Sequence, residues 1–327
     1  MSVLVTGGAG YIGSVTVETL RGEGEPVVVL DDLSNGHREA VAPEVPFYKG
    51  DVGDSTLLAE LIAKHKISQV VHFAGCISVP ESVREPLRYF DNNTARVVNM
   101  LSALLAGGVK NVVFSSTAAV YGEPEYTPID EEHPRKPNNP YGLSKYFVEQ
   151  ILDWMDSAFG MTHVALRYFN AAGATAARGE SHNTESHLIP IILQVPMGRR
   201  QYVDLYGSDY PTPDGTCVRD YIHVADLADA HVKALRYLRS GGASQKINLG
   251  NGVGFSIREV IAAAERVTGV KIPVKETERR EGDPSILVSA SEKANRVLGW
   301  SPRLPELEAI IRTAWDWHRI YPNGYKK

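Results

Sequence analysis

Val3-Leu4-Val5-Thr6-Gly7-Gly8-Ala9-Gly10-Tyr11-Ile12-Gly13 is the stretch on which the fold turns. A short β-branched apolar run leads into a glycine turn, and the turn opens a helix expected over residues 11–21. Glycines at 7, 10 and 13 remove the Cβ atoms that would block a tight turn, the approach of a pyrophosphate and close helix–strand packing. A helix that starts there presents free N–H groups and its positive dipole end to phosphate. Glycine triads alone are common in α/β proteins; the strand before this one and the helix after it give it weight. Asp31 closes the next apolar run, Val27-Val28-Val29-Leu30. A carboxylate at that strand end accepts hydrogen bonds from an adenosine 2′-hydroxyl and repels a 2′-phosphate, so the pattern points to NAD rather than NADP.

Outward from this unit the alternation continues. Strands are expected over 3–5, 27–30, 47–49, 70–73, 112–115 and 164–168, with helices over 11–21, 55–65, 91–106 and 141–158 between them. Short buried strands alternating with helices predict an α/β, Rossmann-type doubly wound parallel sheet. Asp51-Val52 and Phe73-Ala74-Gly75 follow the third and fourth strands, where such sheets meet ligand. After Asn170 the order loosens: residues 171–185 and 206–215 read as loops, helices follow over 224–238 and 256–267, and a strand over 246–249. The division expected is a dinucleotide-binding part over 1–170, to which the chain returns after about residue 219, and a smaller α/β substrate-binding lobe over 171–327.

Composition narrows the function. The chain has 327 residues, 43% hydrophobic and 22% charged, enough for a large core. Its 34 Lys and Arg against 39 Asp and Glu give a net charge of −5, without the basic excess that draws nucleic acid or anionic membranes. Two cysteines, Cys76 and Cys217, exclude a disulfide framework and suggest the cytoplasm. The N-terminus carries no basic, apolar leader pattern, and no apolar stretch approaches the ~20 residues of a spanning helix. No CxxC pair or dense His/Cys cluster suggests a metal; His182 and His187, in a polar stretch, read as exposed loop histidines.

The single Tyr-x-x-x-Lys is Tyr141-Gly142-Leu143-Ser144-Lys145, preceded by Asn139 as a cap and Pro140 as a first helical residue. Tyr141 and Lys145 then share one helical face. A free phenol, with a pKa near ~10, is too weakly acidic to serve as a neutral-pH base. A nearby ammonium and the positive nicotinamide ring favour phenolate, which takes a hydroxyl proton as hydride leaves the same carbon. Ser115-Ser116-Thr117 closes the fifth strand, where a Thr117 hydroxyl can orient the reacting group. The helices over 91–106 and 141–158 carry more apolar residues than one sheet-facing stripe needs, Val97, Val98, Met100, Leu101, Leu104 and Leu105 on the first and Phe147, Val148, Ile151, Leu152 and Trp154 on the second, and predict a two-fold, four-helix interface.

These residues resemble the extended short-chain dehydrogenase/reductase superfamily, and more narrowly the UDP-glucose 4-epimerases, over nearly the whole chain. The second-lobe runs are the more specific: Arg167-Tyr168-Phe169-Asn170, Arg219-Asp220-Tyr221-Ile222-His223, Arg280-Glu281-Gly282-Asp283 and Asn323-Gly324-Tyr325. The resemblance implies a homodimer in which Tyr141 deprotonates O4 of a UDP-hexose, C4 gives hydride to tightly held NAD, the 4-keto sugar turns, and hydride returns to the opposite face. It implies catalytic Thr117, Tyr141 and Lys145. It implies a cofactor site of Gly7, Gly10, Tyr11, Ile12, Gly13, Asp31, Asn35, Asp51, Val52, Phe73, Ala74, Gly75, Asn92, Ser115 and Tyr168, besides Tyr141 and Lys145. It implies a substrate site of Thr117, Tyr141, Asn170, His187, Leu188, Tyr206, Arg219, Arg280, Asp283 and Leu287, with no metal. Arg219 and Arg280 suit a diphosphate, Tyr206 stacking on uracil, and Asp283 ribose hydroxyls.

Four positions depart from the family pattern. Thr117 stands where many members have Ser, Ile77 where some have Lys, His187 in place of an Asn, and Leu287 in place of a Tyr that narrows the sugar pocket. Leu287 predicts weaker activity on N-acetylated UDP-hexoses beside UDP-glucose and UDP-galactose. Other UDP-sugar 4-epimerases, of UDP-N-acetylglucosamine or UDP-pentoses, share this chemistry. A sugar-nucleotide dehydratase needs carboxylates where Ala118 and Ala119 stand, and a non-catalytic NAD-binding protein has no use for the Thr/Tyr/Lys set.

Overall fold

The computed structural model describes residues 1–182, 185–280 and 282–325. Glu281 of the 280–283 run, and Asn183 and Thr184 of the 171–185 loop, lie outside the described residues.

The strands are β1 (Ser2–Thr6), β2 (Val27–Asp31), β3 (Phe47–Lys49), β4 (Ile67–His72), β5 (Asn111–Ser115), β6 (Thr162–Tyr168), β7 (Asn170–Ala172), β8 (Val203–Tyr206), β9 (Val218–His223), β10 (Gln245–Leu249), β11 (Gly254–Ser256), β12 (Val274–Thr277) and β13 (Ile286–Leu287). Seven form one parallel sheet in the order β10-β6-β5-β4-β1-β2-β3. Strand order reverses between β1 and β4, and that switch point opens a crevice at their C-terminal ends.

Both faces are buried, so successive strand residues feed different cores. Val3, Val5, Val27 and Val29 pack with Val17 and Leu20 of the helix Tyr11–Gly22 and with Leu227 and Leu235 of Val224–Arg239. Leu4, Val28 and Leu30 face the other way, onto Leu58 and Leu61 of Ser55–His65, Leu101 and Leu104 of Arg96–Ala106, and Val148 and Leu152 of Pro140–Phe159. A third core holds the second lobe, with Ile189, Ile192, Tyr221, Val260 and Ile310 among its members. There β9 is central: β11 and β13 flank it and β7 pairs with it, while β8 and β12 pair separately.

Two expectations are amended. The helix expected over 91–106 is longer and interrupted: Pro86–Phe90, then a π-helical turn Asp91–Ala95, then Arg96–Ala106. Strand 246–249, read among the irregular elements of the second half, is β10 and completes the large sheet beside β6, although residues 169–244 intervene.

Candidate active site

The glycine loop is fixed by steric exclusion. Gly7 sits at φ +71°, and a Cβ there would lie 2.5 Å from the backbone N of Ala74. A Cβ on Gly13 would lie 2.2 Å from the carbonyl O of Gly7. Both obstacles are backbone, so no side chain can swing away and only glycine fits. The result is a cradle at the N-terminus of Tyr11–Gly22, a helix whose cap residue, Gly10, supplies no side chain. Asp31 closes the cradle: its Oδ2 accepts from Ala9 N and its Oδ1 from Leu33 N, each at 2.9 Å. Burial pushes its pKa up, and the two N–H groups oppose that.

A cleft of about 560 Å³ runs from this cradle across the sheet edge to the second lobe. Gly7, Gly10, Tyr11, Ile12, Gly13, Asp31, Asn35, Asp51, Val52, Phe73, Ala74, Gly75, Asn92, Ser115 and Tyr168 all line it. So do Thr117, Tyr141, Lys145, Asn170, His187, Arg219, Arg280, Asp283 and Leu287. A space without Cβ atoms, backed by a helix N-terminus and ended by Asp31, fits a dinucleotide.

The reactive trio is set by close packing of the Pro140–Phe159 helix. Asn139 caps it, its Oδ1 accepting from Gly142 N at 2.8 Å, and Pro140 is its first residue. A Cβ on Gly142 would meet the carbonyl O of Ala119 at 2.4 Å, so the absent side chain lets the helix press on the Thr117–Ala119 turn. Burial raises the pKa of the Tyr141 phenol, and hydrogen bonding to Thr117 works the other way. Lys145 is expected to favour phenolate at Tyr141; here its Nζ donates to Ser115 O at 3.1 Å and lies 5.1 Å from the Phe114 ring centre. Burial pushes the Lys145 pKa down to about 8.

Asn93 is a buried residue that the sequence reading missed. Its Oδ1 accepts from Cys76 N at 2.8 Å and its Nδ2 donates to Cys76 O and to Ser144 Oγ. The π-turn presents Asn92 and Asn93 together to Cys76 in the loop that follows β4. Only the unremarkable Asn-Asn pair marks it in sequence, and π-turns cluster at functional sites. Behind Thr117, Ser116 Oγ donates to Glu149, and Glu149 makes a fully buried bidentate pair with Arg167 at 2.9 and 2.5 Å.

On the facing wall, Arg219 donates to Pro284 O at 2.8 Å and lies 3.5 Å from Asp283. The Arg280 guanidinium stacks 3.8 Å over the Tyr206 ring. Tyr206 therefore reaches the cleft through Arg280, without lining it. Leu188 does not line it either: it opens the short helix Leu188–Leu193 and packs against the second-lobe core, so a side-chain role for it in binding is not what the structure presents. Asn170 is held by Nδ2 donating to Asp220 O at 2.9 Å. Leu287 pairs with Arg219 across β13 and β9 and packs beside Val120, Tyr121 and Ile129.

Loop residues 173–182 stitch the two halves at the cleft rim. Tyr11 Oη donates to Gly173 O at 2.6 Å, Thr175 Oγ1 to Glu18, and Gly179 N to Tyr325 Oη; His37 Nε2 lies 2.8 Å from Ser181 O. His187 is drawn in by carboxylates: burial works against its charge, but Glu180 and Glu185 outweigh it and push its pKa up to about 10. Glu180 also lines the cleft and was not anticipated.

Residues 3–250 match the model of the NAD dependent epimerase/dehydratase family. The chain belongs to that family. It is 52% identical to the UDP-glucose 4-epimerase of Lacticaseibacillus casei, over 99% of both chains. It superimposes on the UDP-glucose 4-epimerase of Bifidobacterium longum, solved with NAD+ and UDP, with a TM-score of 0.93 at 39% identity, covering 99% of this chain and 100% of that one. With the UDP-Glc/GlcNAc 4-epimerase of Campylobacter jejuni the TM-score is 0.86 at 39% identity, covering 98% and 99%.

Proposed function

We infer that this chain interconverts UDP-glucose and UDP-galactose by inverting C4, with NAD held in the glycine cradle. The observation that carries this is a single cleft in which the cradle and Asp31 meet Thr117, Tyr141 and Lys145, and these face Arg219, Arg280 and Asp283. The relatives of this chain that carry the name UDP-glucose 4-epimerase match it end to end.

Bound NAD+ supplies a hydride acceptor, and then a donor, at C4 of the sugar. The protein does the rest. Tyr141 Oη takes the proton of O4 and later returns it. Thr117 Oγ1 orients that hydroxyl and holds down the phenol pKa that burial raises. Lys145, one turn along the helix from Tyr141 with its Nζ donating to Ser115 O, favours the phenolate with its positive charge, against the burial that lowers its own pKa. Arg219 and Arg280 hold the UDP diphosphate, Asp283 its ribose, and Tyr206 braces Arg280. Ala118 and Ala119 leave the turn after Thr117 without the acid and base that a dehydratase needs there.

The test is Tyr141→Phe. Turnover of UDP-galactose falls by about 10² or more, the scale of a lost general base, while NAD content and folding stay at wild-type levels. Near-wild-type turnover would refute the assignment.

The dinucleotide half comprises 1–170 and a return after about residue 219, and the rest forms the UDP-sugar lobe. Leu287 leaves room beside the sugar, which supports weaker turnover of the N-acetylated pair. Leu87 of the helix Pro86–Phe90 and Trp154 of Pro140–Phe159 are 81% and 75% exposed, and Val98 of Arg96–Ala106 and Phe147 are also exposed. That supports a homodimer through these helices; a purely monomeric mass by light scattering at micromolar concentration would rule it out. Both cysteines are free and buried, in keeping with the cytoplasm, and no helix of the described residues is long and apolar enough to cross a membrane.

A further inference from the structure

Glu180, His182, Glu185 and His187 gather at the cleft rim; His187 alone among them was expected to meet the nucleotide, and none takes part in the proton and hydride transfers above. One ligand atom from each falls within 4.8 Å of all the others. The separations around the group are short. His187 Nδ1 is 2.8 Å from Glu180 Oε1 and 3.1 Å from Glu185 Oε1. His182 Nδ1 is 3.4 Å from Glu180 Oε1 and 3.3 Å from Glu185 Oε2. A tetrahedral zinc with N and O ligands at ~2.0–2.1 Å has ligand–ligand edges of about 3.3–3.4 Å. The two His182 separations already have that size; the two of His187 are shorter, and Glu185 meets His187 through Oε1 and His182 through Oε2, so an ion would open the His187 side by about 0.2–0.6 Å.

The four donors are spaced E-x-H-x-x-E-x-H in the sequence. Glu180 is buried, and its polar partners among the described residues are these two imidazoles. Glu185 is oriented by backbone, its Oε1 accepting from Ser186 N and His187 N at 2.8 Å each. Two carboxylates so close to one point need a cation between them or protons on the imidazoles. Two imidazoles with two carboxylates form a borderline donor set that suits zinc among the divalent ions.

We propose that Glu180, His182, Glu185 and His187 form a binding site for one first-row divalent cation, zinc by its donor set, at the rim of the cleft. Bound there, the cation clips the second half of the rim loop, whose first half is already tied to Tyr11 and Glu18. It also places positive charge on the cleft wall, which Glu180, His182 and His187 line. The proposal is independent of the sugar assignment, and epimerase activity is not its readout.

The experiment uses the full chain without an affinity tag, stripped with chelator and titrated with Zn2+ or Co2+. The expected result is saturation at about one ion per chain, with the intense visible bands of tetrahedral Co2+. His182→Ala and Glu185→Gln each weaken binding by about 100-fold or more, at least the loss that outer-shell changes can produce. No saturable binding by the wild-type chain at tens of micromolar ion overturns the proposal and leaves a protonated imidazole–carboxylate cluster. Binding that both variants retain also overturns it, because the ion then sits elsewhere. The wild-type Co2+ spectrum needs no variant, so it decides the matter even if His182→Ala does not fold.

Discussion

On the cofactor wall of the cleft, backbone meets backbone: Gly7 against Ala74, Gly13 against Gly7, Gly142 against Ala119. On the facing wall, side chains meet side chains: Arg219 against Asp283, Arg280 over Tyr206, His187 between Glu180 and Glu185. The first wall has almost no slack, since a backbone atom cannot rotate aside. The second is made of groups that are already partnered and can exchange those partners for a ligand. A wall of the first kind suits a molecule that stays bound, and one of the second kind suits a molecule that comes and goes at each turnover.

The largest expected break comes from Gly13→Ala. Its Cβ meets the Gly7 carbonyl, and overpacking against backbone costs about 3 kcal/mol or more. The melting temperature should drop and NAD should be lost from the purified protein. Gly22→Ala, at the end of the same helix with nothing near its Cβ, should instead be neutral or stabilising by about 0.4–1 kcal/mol. Equal melting temperatures for the two variants would show that the cradle has slack after all.

Acid should act on both sides: His72 and His231 lie in the dinucleotide half, while His223, at the end of β9, and His318, whose pKa burial also pushes down to about 4, lie in the second lobe. Burial pushes the pKa of His72 down to about 3 and those of His223 and His231 down to about 4. His72 Nε2 and His231 Nε2 have no hydrogen-bond partner among the described residues. Because the folded-state pKa lies below the unfolded value near ~6.5, the stability these neutral rings confer is complete above pH 6.5. It is lost as pH falls toward 4, at up to about 1.4 kcal/mol per pH unit for each ring. Urea melts at pH 7, 6 and 5 measure this; a midpoint that stays constant to pH 5 would contradict it.

Arg280→Ala should be gentler and of a different kind. It removes a charge for the diphosphate and frees Tyr206, so KM for UDP-galactose should rise about 10- to 100-fold with little change in melting temperature or NAD content. A fall in bound NAD would mean that the two walls are not separable. The smallest effect is expected from Leu287→Tyr. It should cut turnover of UDP-N-acetylglucosamine by about 10-fold if steric overlap costs ~1–3 kcal/mol, and leave UDP-galactose nearly unchanged. Equal losses on both substrates would move Leu287 away from the sugar's C2 side.

The same contrast explains what could be read from the chain alone. The cradle, Asp31 and the Asn139–Pro140 cap are local features in which a residue type and its neighbours dictate geometry, so sequence suffices. The six strands placed early in the chain needed only apolar alternation. Other features depended on distant partners. No periodicity says that β10 lies beside β6, or that Arg280 stacks on Tyr206. The π-turn at Asp91–Ala95 looks helical in composition, and the extra residue it absorbs is set by what Asn92 and Asn93 must reach. His182 and His187 are loop residues as read, His187 exposed and His182 partly buried; that both face Glu180 and Glu185 depends on tertiary structure and could not be read. Leu188 came from resemblance, and its side chain went to the core.

The late arrival of β10 bears on how the chain is made. β6 is finished at Tyr168, but its sheet neighbour begins at Gln245. During synthesis at ~5–20 residues per second, the intervening segment takes about 4–15 s to emerge. Throughout that interval β6, buried on both faces in the finished molecule, has an open edge of unpaired N–H and C=O groups beside Val164, Ala165 and Leu166. Nascent chains halted in this window expose a flat apolar template for pairing with one another, and pairing over so long a sequence separation is intrinsically slow. The buried contact of Asn248 with Tyr121 then latches the last strand in place, so the ribosome must deliver three quarters of the protein before the large sheet can close.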